Sequence, residues 1–600
     1  MVGPLEPTSQ YWLRRTTLSR RAALRGGVAL AGGLAGAALL GCDGDDDTSD
    51  DGDGATGTAA ATAAGGTGTA AATATAGSDG EVKRGGIYQT HTSSDPPSID
   101  INTTVSFAAR SFAAYVYSRL YMIDAQPGKN PFEQGPIGDL AESAETEDGA
   151  TWTVKIKQGV KFQNIEPVSG RELTTEDVLF SWGKLTAETS TLRGAVANIT
   201  GVEAVDPYTL RFTHEAPNAD FLEQLADGFL FWVTPTESDG GFNPAEVAIG
   251  SGPWIMEDYE VSNRFVFKAN PDYHVAGIPY MDGVEQSIIP EYANQLAQFQ
   301  AGNVMNLSAR ADDVLQLRSQ MPDTQWLSRV GTGMYGLFFS PEEQDPDAVW
   351  RDERFRIASS YAVDRGALLE FLYNVSALQG AGLDVSTNWN NQVAVGMGER
   401  WWLDPLSDAQ GESRAYFEYN RAESKKLLDA IGVPSDAIPF AFTNNRYSSV
   451  YTDEFEALEG WLTDAGFNLQ VDAQDYSSQF ITQTWQGRFS GMALGNFGGF
   501  SSLSGYLGEQ IGEHPENKRL LHSEDMLDLF RRQGQEIDIE ARAELVHELQ
   551  RTNAENMYIV PTNGGGGTNF VAHQPQVRGI RDTRGLGGPT EQTAVYWLDT

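Results

Sequence analysis

One cysteine stands among 600 residues. Disulfides need cysteines in pairs, so a secreted scaffold stapled by disulfides is excluded. Positive charge is also scarce: 42 Lys and Arg face 82 Asp and Glu, for a net charge of −40. Such a field repels phosphates, and nucleic acid is not an expected partner. Lysine is rare even beside arginine, and the carboxylates spread along the whole chain, the pattern of a surface kept hydrated by acid groups. Attraction of a cationic ligand is the other reading of the same charge. The seven histidines, among them His91, His214, His274 and His522, are dispersed and form no metal cluster by spacing. There is no Gly-x-Ser-x-Gly elbow and no Gly-x-x-x-x-Gly-Lys phosphate loop. His547-Glu548-Leu549-Gln550 opens like a zinc-protease helix, but Arg551 occupies the second histidine position. No catalytic residue, metal or cofactor is therefore expected, and the chain does not read as an enzyme. A secreted hydrolase or a sensory receptor is the alternative from another class. The first lacks a recognisable nucleophile with its base, the second a transmembrane helix.

The longest apolar run, Val28 to Leu40, is 13 residues, shorter than the roughly 20 that span a bilayer. Preceded by Arg20 and Arg21, it has the makeup of an export signal over residues 1–41. The paired arginines resemble a twin-arginine signal, although Ala23 stands where an aromatic is commoner, and Arg14-Arg15 could serve instead. Leu39-Leu40-Gly41-Cys42 is similar to the lipobox of bacterial lipoproteins, which makes Cys42, the sole cysteine, the expected lipid-attachment site. Two acyl chains supply the stable anchoring that one chain does not. Asp43, next in line, resembles an inner-membrane retention signal.

In the segment 42–80, everything after Cys42 is Asp, Gly, Ala, Thr and Ser with hardly a large apolar side chain, too little to bury against the entropy of folding. They read as a tether with a reach of roughly 35 Å. The acidic cluster Asp43 to Asp53 lacks the closing Glu of a calcium loop. Beyond it lie about 520 residues, more than one core normally supports, so two or three domains are expected.

Their pattern is mixed α/β without internal repeats. Thr151 to Lys157 alternates as a strand with Trp152, Val154 and Ile156 on one face. Thr174-Thr175-Glu176-Asp177 opens a helix bearing Val178, Trp182 and Leu185. Tyr208 to Thr213 and Arg264 to Lys268 read as further strands. Asp352 and Asp364 start helices. Asn420-Arg421-Ala422-Glu423 reads as a capping box, with Gly432 as the terminator. Asp453 to Leu462 reads as a helix ending at Gly466, followed by a strand with Phe467, Leu469 and Val471. The glycine run Gly564 to Gly567 reads as a flexible connection.

In order, Gly85-Gly86-Ile87 with Asp95 to Asp100, Leu140-Ala141-Glu142-Ser143 leading to Gly159-Val160-Lys161-Phe162 and Leu173 to Val178, Ile249 to Trp254 with Asn270-Pro271-Asp272-Tyr273, Arg354 to Arg365, and Arg542 to Gln550 with Tyr558 to Pro561 resemble the bacterial extracellular solute-binding proteins of family 5, the peptide and nickel type. The likeness runs from Lys83 to Ile580. It implies a two-lobed α/β periplasmic-binding-protein fold (type II, large cluster C type) with an extra subdomain in lobe one, closing by a hinge on its ligand. Lobe one would comprise 81–125, the extra subdomain 126–244, 245–335 and 560–600; lobe two would be 336–559. The implied role is capture of a small-molecule ligand by a monomer and delivery to the transmembrane subunits of an ABC permease.

Peptide-binding members of that family hold the ligand ammonium with an aspartate in a Trp-x-x-Asp-Tyr-Pro segment. The matching residues are Asn496-Phe497-Gly498-Gly499-Phe500-Ser501, with Gly499 at the aspartate position, unless another acid such as Asp475 substitutes. Trp389, flanked by Asn388, Asn390 and Asn391, joins Trp401, Trp402 and Trp485 in offering flat apolar faces beside amide groups. That pairing suits sugar rings as well as peptide side chains. Expected ligand contacts are thus Trp389, Asn390, Trp401, Trp485, Asn496, Phe497, Gly499 and Phe500, around a peptide or an oligosaccharide, with haem, nickel or another metal chelate possible by family analogy. Core packing is the competing reading for each tryptophan. Phe339 replaces an asparagine that many relatives carry near the crossing between lobes.

Overall fold

The strand expected from Thr151 runs over Thr151–Ile156 and buries Val154 and Ile156, with Trp152 laid against Phe221 at 5.2 Å between ring centroids. The structure, a computed structural model, describes residues 81–600 apart from 105, 126–131, 133, 191, 434–435, 448, 499–500, 512–522 and 585–587. Arg20, Arg21, Cys42, the tether, Gly499, Phe500 and His522 therefore lie outside the described residues.

Thr151–Ile156 is an inner strand of a four-stranded antiparallel sheet, flanked by Ala141–Thr146 and Thr209–His214, with Ile199–Asp206 beyond. Helix Thr175–Thr186 covers it. Thr174 and Asp177 close a reciprocal capping box, and Trp182 stands edge-on to Phe212 at 5.6 Å. A second four-stranded sheet orders Ile87–Thr92, Gly283–Ile288, Arg264–Ala269 and Trp254–Glu260. Helix Phe107–Val116 packs on it, Tyr115 stacking on Phe267 at 4.4 Å. In a three-stranded sheet, Thr568–His573 lies between Asn306–Ala309 and Gln325–Val330. These sheets form the first body.

The second body is built on a five-stranded sheet ordered Leu469–Gln474, Ile438–Thr443, Met492–Phe497, Met334–Phe339, Val560–Pro561. Asp352, Asp364 and Asn420 each cap a helix, as expected. Two details differ. Asn420 accepts from Glu423 N at 3.0 Å, but the Glu423 carboxylate takes Lys426 Nζ at 2.8 Å and does not complete the box. The strand after Gly466 starts at Leu469 and forms the sheet's edge, so Val471 is exposed while Phe467, before the strand, is buried. Phe339 is a core residue, edge-on to Phe355 at 6.2 Å.

The chain crosses between the bodies twice, at 331–333 and at 562–567. The expectation of a loose link at Gly564 to Gly567 is corrected here. A Cβ at Gly564 would overlap Glu454 and Tyr335, one at Gly566 would overlap Asn390, and one at Gly567 would overlap Tyr373. Gly331 N donates to Gly567 O at 3.0 Å and Tyr335 N to Gly564 O at 2.8 Å, so the crossings are bonded to each other. Here the missing Cβ serves close backbone approach, not mobility. Gly566→Ala is expected to destabilise the protein by roughly 1–3 kcal/mol in urea unfolding. Gly183→Ala, mid-helix with nothing within 4 Å of the added carbon, should be neutral or stabilising. Equal midpoints for the two variants would refute the close-packed crossing.

Candidate functional site

Asp364 starts helix Arg365–Tyr373, and the first residue of that helix is turned inward on the second crossing. Arg365 is fully buried: Nε and Nη2 donate to Pro561 O at 3.0 and 2.8 Å, and Nη1 donates to Phe417 O at 2.8 Å. Asn563 Nδ2 donates back to Arg365 O at 2.9 Å. Burial among carbonyls lowers the guanidinium to about 9. From the other side, Asn390 Nδ2 donates to Thr562 O at 3.0 Å, and its backbone N donates to Asn563 Oδ1 at 3.1 Å.

Glu454 lies beneath, fully buried on helix Ser449–Ala465. The Thr562 hydroxyl sits within reach of both Tyr335 O, at 2.8 Å, and the Glu454 carboxyl. With one proton to give, Thr562 satisfies the carbonyl, and a protonated Glu454 donates into its oxygen. Burial pushes Glu454 up to about 8.

The bodies also meet directly. Asp220 and Glu223 lie at and within the short helix Phe221–Leu225 of the first body. Arg542 Nη2, from helix Ile539–Asn556 of the second, donates to both Asp220 oxygens at 2.7 Å, with side-chain exposures of 7% and 1%. Burial alone would raise the Asp220 carboxyl; the charge and hydrogen bonds of Arg542 outweigh it and hold the carboxyl below its ordinary value. Gln533 Oε1 accepts from Arg542 Nε at 3.1 Å and fixes the guanidinium plane. Nearby, Asp227 Oδ2 accepts from Ser501 N of the second body at 3.0 Å. At the rim, Phe107 meets Phe229 at 5.8 Å, and the Arg446 guanidinium lies over the Phe107 and Tyr476 rings at 5.7 and 5.5 Å.

Against this geometry the residues expected to touch ligand divide. Asn390 pins the second crossing. Trp401 is buried beneath the Arg542 guanidinium at 5.4 Å. Trp485 is buried between Phe338, Phe480 and Phe497, the last at 5.3 Å. Trp401, Trp485 and Phe497 belong to one core cluster, so packing within the second body already covers their faces. Trp389, joined to Trp402 Nε1 through its carbonyl at 3.1 Å, and Asn496 are half-buried. Asp475 caps residues 476–480, accepting from Ser478 N at 2.9 Å and Asn445 Nδ2 at 2.5 Å. Glu509 Oε2 accepts from Gly498 N at 3.2 Å.

Glu509, Asp220, Asp227, Arg446 and Arg542 escaped the sequence reading, although Arg542 opens one of the quoted motifs. No local spacing joins Asp220 to a partner 322 positions away. His547 is half-buried, and no group of three or more metal-ligating side chains occurs among the described residues. Among them, too, no helix is long and apolar enough to cross a membrane.

The sequence matches the family model for bacterial extracellular solute-binding proteins, family 5 Middle, over residues 135–514. It is 25% identical over 342 residues to heme-binding protein A of Haemophilus influenzae, covering 53% of this chain and 57% of the relative. It is 24% identical over 386 residues to the oligopeptide-binding protein AppA of Bacillus subtilis, covering 59% and 64%. The chain thus spans less than two thirds of the length of either relative. The ABC transporter-associated periplasmic binding protein DppA of Helicobacter pylori, solved with the peptide STSA, aligns with a TM-score of 0.69 at 18% identity, over 86% of this chain and 99% of that one. The fold is the two-lobed α/β fold of periplasmic binding proteins, and with the family model matching well over half its length, the chain belongs to the bacterial extracellular solute-binding proteins, family 5.

Proposed function

We propose that this protein captures a solute between its two bodies outside the cytoplasmic membrane, tethered by a lipid on Cys42, and passes it as a monomer to the membrane subunits of an ABC importer. The lobes of this reading are those expected from the sequence, residues 81–335 with 560–600, including the extra subdomain 126–244, and residues 336–559, with their limits moved to the crossings at 331–333 and 562–567 so that Met334–Phe339 and Val560–Pro561 stay in the second. The observation that carries it is the pairing of two bonded crossing segments with a desolvated clamp, Asp220 to Arg542, on the facing walls. A hinge plus contacts made in one arrangement of the lobes is what ligand capture by closure requires. The protein performs no chemistry in this role.

The solute is a peptide, an oligosaccharide or a metal chelate such as haem. Glu509, whose carboxylate accepts from Gly498 N, favours the peptide, because a buried ammonium needs a carboxylate.

Thermal-shift screening of the full chain against di- to pentapeptides, oligosaccharides and haem, followed by small-angle scattering, tests the reading. A true ligand raises the melting temperature and contracts the particle. Turnover of the ligand on prolonged incubation would sink the binding-only role. For the anchor, Cys42→Ser is expected to move the protein from the membrane fraction to the soluble one; unchanged partitioning would place the anchor elsewhere.

A further inference from the structure

Helix Phe107–Val116 carries Phe107 and Arg110 three positions apart, on one face. Phe107 meets Arg446 across the gap between the bodies. Arg110, 5% exposed, lines a cavity of about 500 Å³ in the first body, together with Thr104, Lys184, Leu185, Leu192 and Phe231.

Each of the other deeply buried arginines has at least one hydrogen-bond or ion-pair partner, although Arg584 Nε has none of its own; Arg356 donates to Asn556 O and Trp350 O, both at 2.8 Å. Arg119 has Tyr121 O and Glu591, Arg365 has its carbonyls, Arg542 has Asp220, and Arg584 has Glu223. Arg110 alone of this set makes no hydrogen bond or ion pair among the described residues, and its Nε is buried without a partner. Asp100 and Asp227 act on it only through space. The Asp227 oxygens are taken by Ser501 N and Phe229 N, at 3.0 and 2.8 Å. Burial lowers the guanidinium to about 10, against the opposing pull of Asp227 and Asp100.

A guanidinium fork left open in a cavity matches a planar oxyanion, which takes two parallel N–H donors. Lys184 at the same cavity is already paired with Asp239 at 3.2 Å, so one unpaired positive charge faces the space, against a molecule of net charge −40. One charge and planar donors suit a carboxylate better than a phosphate dianion, and the lining sets Leu185, Leu192 and Phe231 beside the hydroxyls of Thr103, Thr104 and Ser181, so an apolar portion has a face to meet.

We infer that this cavity receives a carboxylate of the solute, held by Arg110, and that the solute class is an organic acid with an apolar portion. The inference rests on the capture reading above and names the chemistry of its ligand.

Calorimetric titration of the full chain with 4-phenylbutyrate, 4-phenylbutyramide and inorganic phosphate tests it. The acid is expected to bind saturably, the amide at least about tenfold more weakly, and phosphate more weakly than the acid. Arg110→Gln should weaken binding of the acid by about tenfold or more, with Arg110→Lys in between. A structural arginine would lower the melting temperature on replacement. Arg110→Gln should instead leave the unliganded protein at or above the wild-type value, because it removes an unpaired buried charge. No saturable binding at millimolar concentration, equal affinity for acid and amide, tighter binding of phosphate, or a destabilised Arg110→Gln protein would each overturn the assignment. Binding through Arg110 without contraction in scattering would leave the carboxylate site standing and remove the capture reading. Contraction with a solute indifferent to Arg110 would remove the site alone.

Discussion

Arg542→Ala is expected to cost about 3–5 kcal/mol of stability, because it strands the Asp220 carboxylate in a place closed to water. Urea unfolding at neutral pH measures that loss. The double variant Arg542→Met with Asp220→Leu should recover most of it, since an apolar pair needs no compensating charge. The same single variant should expand the particle in scattering and weaken whatever ligand raises the wild-type melting temperature, because the pair spans the two bodies. The pH dependence has a definite sign. Asp220 is held below its ordinary value in the folded protein, so its contribution is present above the unfolded value of roughly 4 and fades as pH falls through the folded one. The gap between wild type and Arg542→Ala should therefore narrow only in acid. A gap of the same size at every pH would mean that packing, not charge, makes the contact.

Glu454→Gln is expected to act in the opposite direction. The folded value of about 8 lies above the ordinary 4.5, so the protonated carboxyl is what the fold prefers. Its contribution is complete below the ordinary value and is lost as pH rises toward about 8. A glutamine amide mimics the protonated acid: it can donate to the Thr562 oxygen and never ionises. The variant should match wild type near pH 4 and exceed it by about 4 kcal/mol at pH 8. Equal stability of the two proteins at both pH values would remove the buried protonated acid from the hinge.

The elements legible in the sequence were those whose signal is local. Val154 and Ile156 alternate within six residues, Thr174 and Asp177 bond across one turn, and Asp364 caps the helix that it precedes. The family motif ending at Arg365 was readable too, although not its physical reason, the shell of carbonyls that ties the helix to the second crossing. The site was less legible because its pairs are distant along the chain. Tryptophan content pointed to flat faces for a ligand, yet Trp401 and Trp485 stack inside the second body, a choice set by residues such as Phe338 that no periodicity links to them. The glycine run misled for a related reason. Composition reports the freedom of a residue, while the neighbours that fill the space of its missing side chain come from Glu454, Asn390 and Tyr373.

The three-stranded sheet sets an order of events during synthesis. Its central strand, Thr568–His573, is the last of its three to be made, and Asn306–Ala309 and Gln325–Val330 each pair with it, not with each other. A ribosome that has finished the whole second body has still not supplied the strand that completes the first. A chain cut before Thr568 would retain every residue of the clamp and nearly all of the hinge, but would carry two orphaned edges open to pairing with other chains. The body that translation begins first is thus completed last.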